Sequence, residues 1–269
     1  MADDAQVRWV GSMPEAYERW LGPTLFRPFA VDLARRVAAR RPDRVLELAA
    51  GTGVLTRELL AALPGCELTA TDLNPAMVEF GRRRAPGATW RQADALDTPF
   101  DAGLFDVVVC QFGVMFFPDK PAGFAEARRV LAPDGTLIVN TWAELARHDF
   151  DAAVVAALEQ RFPDDPPVFL SGVPHGYADV DAVVADVEAG GLECLSVETV
   201  TLEGRAATIA DIATGFCTGT PVRAEIEARD DLSAATAGLT ETMLARFGPG
   251  PVTGRMAAHV IEARPAAPR

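Results

Sequence analysis

Paired cysteines are missing from this chain. Cys66, Cys110, Cys194 and Cys217 are scattered, no two make a C-x-x-C pair, and no histidine lies near them at ligand spacing. Neither a zinc site nor a disulfide framework is suggested, no metal is expected, and the thiols read as free. Bases are short as well: 25 Lys and Arg stand against 38 Asp and Glu, a formal net charge of -13. A surface of that sign is a poor partner for phosphate backbones, so nucleic acid is not expected as a substrate. Long apolar runs are absent too, and residues 1–20 carry acids where a secretory leader carries bases. A cytoplasmic protein without a membrane partner is the expectation.

What is present is material for a core. With 269 residues, 49% of them hydrophobic and 23% charged, the chain is globular and able to bury one large core or two modest ones. Helical apolar spacing over 29–41 is broken at Pro42-Asp43, and strands are expected at 45–48, 67–73, 89–93, 104–110 and 136–142, with helices between them at 54–63, 75–84 and 119–131. Strands alternating with helices at this interval imply a parallel sheet covered on both faces. The second half is less regular. Helices are expected near 149–161, 179–189, 207–216 and 232–247, strands at 194–202 and 256–263, a loop at 163–177, and an irregular tail after the last strand. No repeat or low-complexity linker interrupts the chain, so one domain spanning 1–269 is the simplest organisation. The arginines at 35, 36, 40, 41 and 44 read as a solvated face at a helix end rather than a binding patch.

The first strand runs straight into a turn of small residues, Ala49-Ala50-Gly51-Thr52-Gly53, and then a helix. That order lets a ligand approach backbone at a helix start. A dinucleotide fingerprint wants Gly or Ala three residues past its second glycine, where Thr56 stands here, and Glu47 ahead of the turn would repel a pyrophosphate. A ligand bearing positive charge fits better, and S-adenosylmethionine carries a sulfonium and an ammonium. In an open parallel sheet the ligand lies beyond the carboxyl ends of the strands. Asp72 ends the second strand, placed to accept from both ribose hydroxyls, while Asn74 before Pro75 is the better helix cap. Asp94, with Ala95 after it, ends the third strand, where it serves either an adenine amino group or the turn itself. Gln111 and the apolar loop 112–117 follow the fourth strand; Met115, Phe116 and Phe117 read either as core or as pocket.

Five segments together resemble the class I S-adenosylmethionine-dependent methyltransferases, in particular the branch similar to ubiquinone/menaquinone-biosynthesis C-methyltransferases. They are Glu47-Leu-Ala-Ala-Gly51-Thr-Gly53, Thr71-Asp72-Leu73-Asn74-Pro75-Ala76-Met77, Gln92-Ala93-Asp94-Ala95, Phe105-Asp106-Val107-Val108 and Glu126-Ala-Arg-Arg-Val-Leu-Ala-Pro133-Asp134-Gly135. The resemblance covers about residues 40–142. It implies a Rossmann-like α/β fold, a seven-stranded and mostly parallel sheet with helices on both faces and an antiparallel last strand. It also implies S-adenosylmethionine as cofactor, with Glu47, Ala49, Gly51, Thr52 and Gly53 at its methionine end, Asp72 on the ribose, and Leu73, Met77, Asp94 and Ala95 around the adenine; Gln111 and Phe112, from their place after the fourth strand, are expected at the same crevice, Gln111 to orient a substrate. One departure stands out, since the family usually has glycine where this chain has Ala49.

Methyl transfer from a sulfonium needs alignment and dryness more than acid catalysis, and a base only if the nucleophile must lose a proton. His175 and His148 are the candidate base or substrate contacts, each set against an ordinary turn or helix-start role. Tyr17 and Trp20, at three-residue spacing on an expected N-terminal helix, either cover the cofactor as a lid within residues 1–30 or simply dock that helix. Residues 143–191 are expected to cover a small, largely apolar or aromatic acceptor, with Phe116, Phe150 and Tyr177 as substrate contacts. An NAD(P)-dependent oxidoreductase and a non-catalytic cofactor-binding protein are the competing readings.

Overall fold

The computed structural model describes residues 13–267, and the part of the expected lid that falls on residues 1–12 lies outside them. The chain divides into two compact units. Among the described residues, the helical unit comprises 13–28, 143–176 and 201–257, and the sheet unit comprises 29–142, 177–200 and 258–267.

The sheet unit carries the architecture that positions a ligand. Its helices are α2 (Arg27–Ala39), α3 (Val54–Ala62), α4 (Pro75–Arg84), α5 (Lys120–Val130) and α8 (Val180–Ala189). The strands are β1 (Arg44–Glu47), β2 (Glu67–Asp72), β3 (Thr89–Gln92), β4 (Phe105–Gln111), β5 (Leu131–Trp142), β6 (Leu192–Ala206) and β7 (Val252–Pro265), the last two continuing beyond the unit's boundary. Their order is β3-β2-β1-β4-β5-β7-β6. β1 pairs in parallel with both β2 and β4, and β5 pairs antiparallel with β7, Leu137 opposite Ala263 and Trp142 opposite Ala258. The expected seven strands and the reversed last strand are therefore present. Val45, Leu46, Val107, Val108, Val109 and Cys110 are all buried, which is why β1 and β4 read as continuous apolar runs: both faces of a central parallel strand are covered.

Strand order reverses between β1 and β4, and in open α/β sheets the carboxyl ends of the strands at such a switch point are where ligands bind. Local chemistry fixes the helix starts around it. Asn74 accepts from Ala76 N at 2.9 Å with Pro75 as the first helical residue, and Asp119 accepts from Ala122 N at 2.9 Å. Part of the family-like pattern is structural: Glu126 accepts from Thr98 N at 2.8 Å and from Arg129 Nε at 2.7 Å, tying α5 to the segment after β3. The arginine-rich face of α2 is more engaged than a solvated face would be. Arg36 reaches Asp32 at 2.6 Å and Glu198 at 2.7 Å, and Arg40 pairs with Glu262, so α2 is tied to β6 and β7.

The helical unit contains α1 (Met13–Ala16), a π-helical segment (Tyr17–Phe26), α6 (Asp149–Arg161), α7 (Phe169–Gly172), α9 (Ile209–Gly219), α10 (Val222–Glu227) and α11 (Leu232–Phe247). Phe150, Val154, Leu158, Ile209, Ile212 and Leu239 form its core. The wide turn at 17–26 was not expected; Pro23 lies inside it and has no N–H to continue an α-helical ladder, and Arg27 N bonds Gly22 O instead. α10 was also not foreseen, although Pro221 just ahead of it is a helix-start signal. The loop expected at 163–177 holds α7 and a single 3-10 turn at 175–177, and β6 and β7 are longer than their apolar cores suggested.

Candidate cofactor-binding site

The turn after β1 is built on unusual backbone. Ala49 (φ 50°), Gly51 (φ 55°) and Gly53 (φ 81°) all occupy the left-handed region. Glycine adopts it freely, whereas alanine there is strained by about 1–2 kcal/mol, so the departure at Ala49 from the glycine that the resemblance implies has an energetic cost. The strain has a neighbour: a Cβ at Gly113 would stand 2.6 Å from Ala49 Cβ, so the alanine is accommodated only because residue 113 is glycine. Around Gly51, by contrast, a Cβ would meet nothing within 4 Å, so the turn leaves open space on that side.

Two carboxyls frame the turn. Asp72 Oδ2 accepts from Gly51 N and Oδ1 accepts from Asn74 N, each at 2.8 Å, so one side chain pins the turn and the start of α4 together. Each oxygen keeps a second lone pair for a ligand hydroxyl. Burial raises the Asp72 pKa, against the pull of those two N–H donors. Glu47 is fully enclosed and accepts from Thr56 Oγ1 at 2.6 Å. Burial pushes its pKa up to about 8, opposed by the Thr56 hydrogen bond, with Asp72 adding to the rise and Arg57 opposing it. Thr56, which on sequence served only to disfavour a dinucleotide, is thus a direct partner of Glu47, and nothing in its spacing announced this.

The backbone donors of the turn are mostly used. Ala50 N bonds Thr71 O, Gly51 N bonds Asp72 and Gly53 N bonds Ala50 O. A turn whose N–H groups are committed to its own chain is poorly suited to cradling a pyrophosphate, and its two carboxyls suit hydroxyls and cations.

The other expected residues take distinct places. Met77 is buried, Leu73 and Ala95 are half-buried, and Gln111 ends β4 half-buried. Asp94 is exposed and accepts from Leu96 N at 2.9 Å, the turn chemistry weighed for it. Phe112 is a second strained non-glycine (φ 52°), held by Asn140 Oδ1 on its N–H at 2.9 Å and stacked on Trp142 with ring centroids 3.5 Å apart. Trp142 and Asn140, both from β5, are supports that sequence reading missed. Phe116 is half-buried. Tyr177 donates to Asp186 at 2.7 Å beneath the Lys120 ammonium; burial, then Asp186, hold its pKa above the ordinary range, so it stays a neutral phenol.

Tyr17, Trp20, His148, Phe150 and His175 belong to the helical unit. Tyr17 stacks obliquely on Phe26 at 4.5 Å, while the Trp20 ring faces the Arg19 guanidinium at 4.4 Å, so the two aromatics have different partners. Phe150 is fully buried and packs against Phe247. His175 Nδ1 lies 2.9 Å from Ala143 O and Nε2 3.2 Å from Asp151 Oδ1, with the His148 ring 4.5 Å away. Burial lowers the His175 pKa, but the hydrogen bond and charge of Asp151 outweigh it and the net shift is upward. His148 is pushed down to about 4, chiefly by burial. Both ring nitrogens of His175 therefore already face acceptors inside the unit. Asp151 was not singled out on sequence, because 24 residues separate it from His175.

Residues 45–135 match a family model described as a methyltransferase domain. Over 118 residues the chain is 42% identical to the demethylmenaquinone methyltransferase of Thermus thermophilus, covering 42% of this chain and 52% of that protein. Over 148 residues it is 33% identical to the malonyl-[acyl-carrier protein] O-methyltransferase of Halorhodospira halophila, covering 51% of this chain and 49% of that one. The chain thus spans about half the length of these curated relatives. A solved structure from Anaeromyxobacter dehalogenans, provisionally named a type II methyltransferase, superposes with a TM-score of 0.64 at 18% identity, over 88% of this chain and 97% of that one, which shows a shared fold. Over residues 45–135 the chain thus matches a methyltransferase domain, set in a Rossmann-like fold that it shares with a solved methyltransferase structure.

Proposed function

We propose that this chain transfers a methyl group from S-adenosylmethionine to a small, largely apolar or aromatic acceptor. The observation that carries the reading is the pair of carboxyls at the switch point: Asp72 clamped on Gly51 N, and Glu47 enclosed with a neutral hydroxyl as its hydrogen-bond donor. The first suits vicinal hydroxyls and the second suits a ligand that brings its own positive charge. Bound there, the cofactor supplies an electrophilic methyl on a sulfonium whose charge is relieved as the acceptor attacks. The protein's part is to bind and to align. Gly51 leaves room for the ligand against the backbone, Asp72 fixes the turn, and the adjoining segments bury the apolar Leu48, Met77 and Val109.

The apolar loop 112–117, with Phe116 half-buried, supports an acceptor with an aromatic or aliphatic body. The name of the Thermus relative makes demethylmenaquinone the first acceptor to try, and that of the Halorhodospira relative makes a carboxyl-bearing acyl chain the second. Isothermal titration of the full chain with S-adenosylmethionine, S-adenosylhomocysteine and NAD tests the cofactor. Release of S-adenosylhomocysteine in the presence of each acceptor tests transfer. Binding of NAD in place of the sulfonium ligand would overturn the reading; binding without turnover on any acceptor would favour a non-catalytic cofactor-binding protein.

A further inference from the structure

We propose that His148, Asp151 and His175 form a binding site for one divalent transition-metal ion of the zinc type. His148 immediately precedes α6 and Asp151 lies in its first turn, three residues on, a spacing that brings both side chains to one side of the helix start. His175 comes from the 3-10 turn at 175–177. One ligand atom from each lies within 4.8 Å of the other two, and all three residues are buried.

The geometry of His175 is the strongest part of the case. Its Nδ1 stands 2.9 Å from Ala143 O, which can only accept, so Nδ1 carries a proton and Nε2 is the nitrogen turned toward Asp151. A ring N–H donated to a backbone carbonyl is how metal-bound histidines are ordinarily oriented. Nε2 and Asp151 Oδ1 are 3.2 Å apart. Two donors bound tetrahedrally at about 2.0–2.2 Å from a zinc-type ion are themselves roughly 3.3–3.5 Å apart, so this pair sits near bite distance. With His175 neutral and Asp151 ionised, both of those atoms are acceptors, and something positive must stand between them. A proton does so in an ion pair; a metal ion takes the proton's place and recruits His148 as third donor.

The donor set sets the class of ion. Two imidazoles and one carboxylate suit zinc and its neighbours, whereas calcium and magnesium want oxygen shells. Three protein donors also leave a fourth tetrahedral position for water. The inference is independent of the proposed methyl transfer and is tested without cofactor. The full chain, stripped with a chelator and dialysed, is titrated with Co(II) while its visible d–d absorption is followed, and then with Zn(II) in competition. One equivalent of tightly held Co(II) with a tetrahedral-type spectrum, displaced by one equivalent of Zn(II), is expected. In His148→Gln, Asp151→Asn and His175→Gln the affinity should fall by more than the roughly 10–100-fold that removal of a mere supporting group causes. If the unsubstituted protein takes up no stoichiometric metal, or if its affinity survives in the folded variants, the cluster is a proton-bridged ion pair and the proposal is wrong. The first of these outcomes decides the matter even if every variant fails to fold.

Discussion

Glu47 of the sheet unit and Asp151 of the helical unit are both buried carboxyls, yet they are held in opposite ways. Asp151 lies 3.2 Å from the His175 ring, and although burial raises its pKa, that hydrogen bond and charge outweigh burial and hold it below the ordinary carboxylate range. Glu47 receives a neutral hydroxyl from Thr56, and burial leaves it near 8. Asp151 takes its hydrogen-bond partner from its own unit. A carboxyl enclosed beside a turn with open space, and bonded by a neutral group, is disposed to accept a cation from a ligand.

Neutralising each acid in the cofactor-free, metal-free protein separates the two most sharply. Asp151→Asn removes the hydrogen-bonding and charge partner of a buried His175 and should destabilise by about 3–5 kcal/mol, whereas Glu47→Gln should cause no loss at neutral pH, where ionisation of Glu47 favours the unfolded chain. Urea unfolding of the two variants measures this, and equal losses would erase the distinction.

Next in size is Asp72→Ala. Loss of hydrogen bonds to a charged acceptor, each worth about 1.5–3 kcal/mol, should weaken S-adenosylmethionine binding about 100-fold in calorimetry. Part of that loss comes through the Gly51 N–H that Asp72 pins, so Asp72→Asn, which keeps one acceptor oxygen, should recover some of it.

A smaller effect lies in pH. The folded pKa of Glu47, about 8, is above its unfolded value of 4.5, so the stability it contributes is full below about 4.5 and is lost as pH rises through about 8. Cofactor affinity should run the other way, rising by up to about tenfold per unit between pH 6 and 7.5 as the ligand draws Glu47 into its ionised form. In Glu47→Gln the affinity should be flat over that range; a slope unchanged by the substitution would assign the titration elsewhere.

The smallest expected change is at Ala49. Replacing it with glycine relieves a left-handed alanine at the cost of greater chain freedom when unfolded, a net gain of about 1 kcal/mol or less. At roughly 2–4 °C per kcal/mol, the melting temperature should rise by a few degrees at most, and a fall would mean that the Ala49 methyl contributes packing against Gly113 that outweighs its strain.

Much of the sheet unit is legible in the chain read residue by residue. The bounds of α3, α4 and β2, the cap at Asn74, the glycine turn and the acids ending β1 and β2 all follow from patterns within a few residues of one another, because propensity, capping and backbone conformation are local properties. Only tertiary structure decided the partners. Thr56 on Glu47 and Asp72 on Gly51 N are meetings across nine and 21 residues, and Trp142 beneath Phe112 joins β5 to the loop after β4. The π-helical turn replaced the face on which Tyr17 and Trp20 were expected to align, since Pro23 changes which amide meets which carbonyl. Asp151 had no signal at all in its own neighbourhood. A buried acid is recognisable only once its enclosure and its counter-charge are known, and both are made by chain that is distant in sequence.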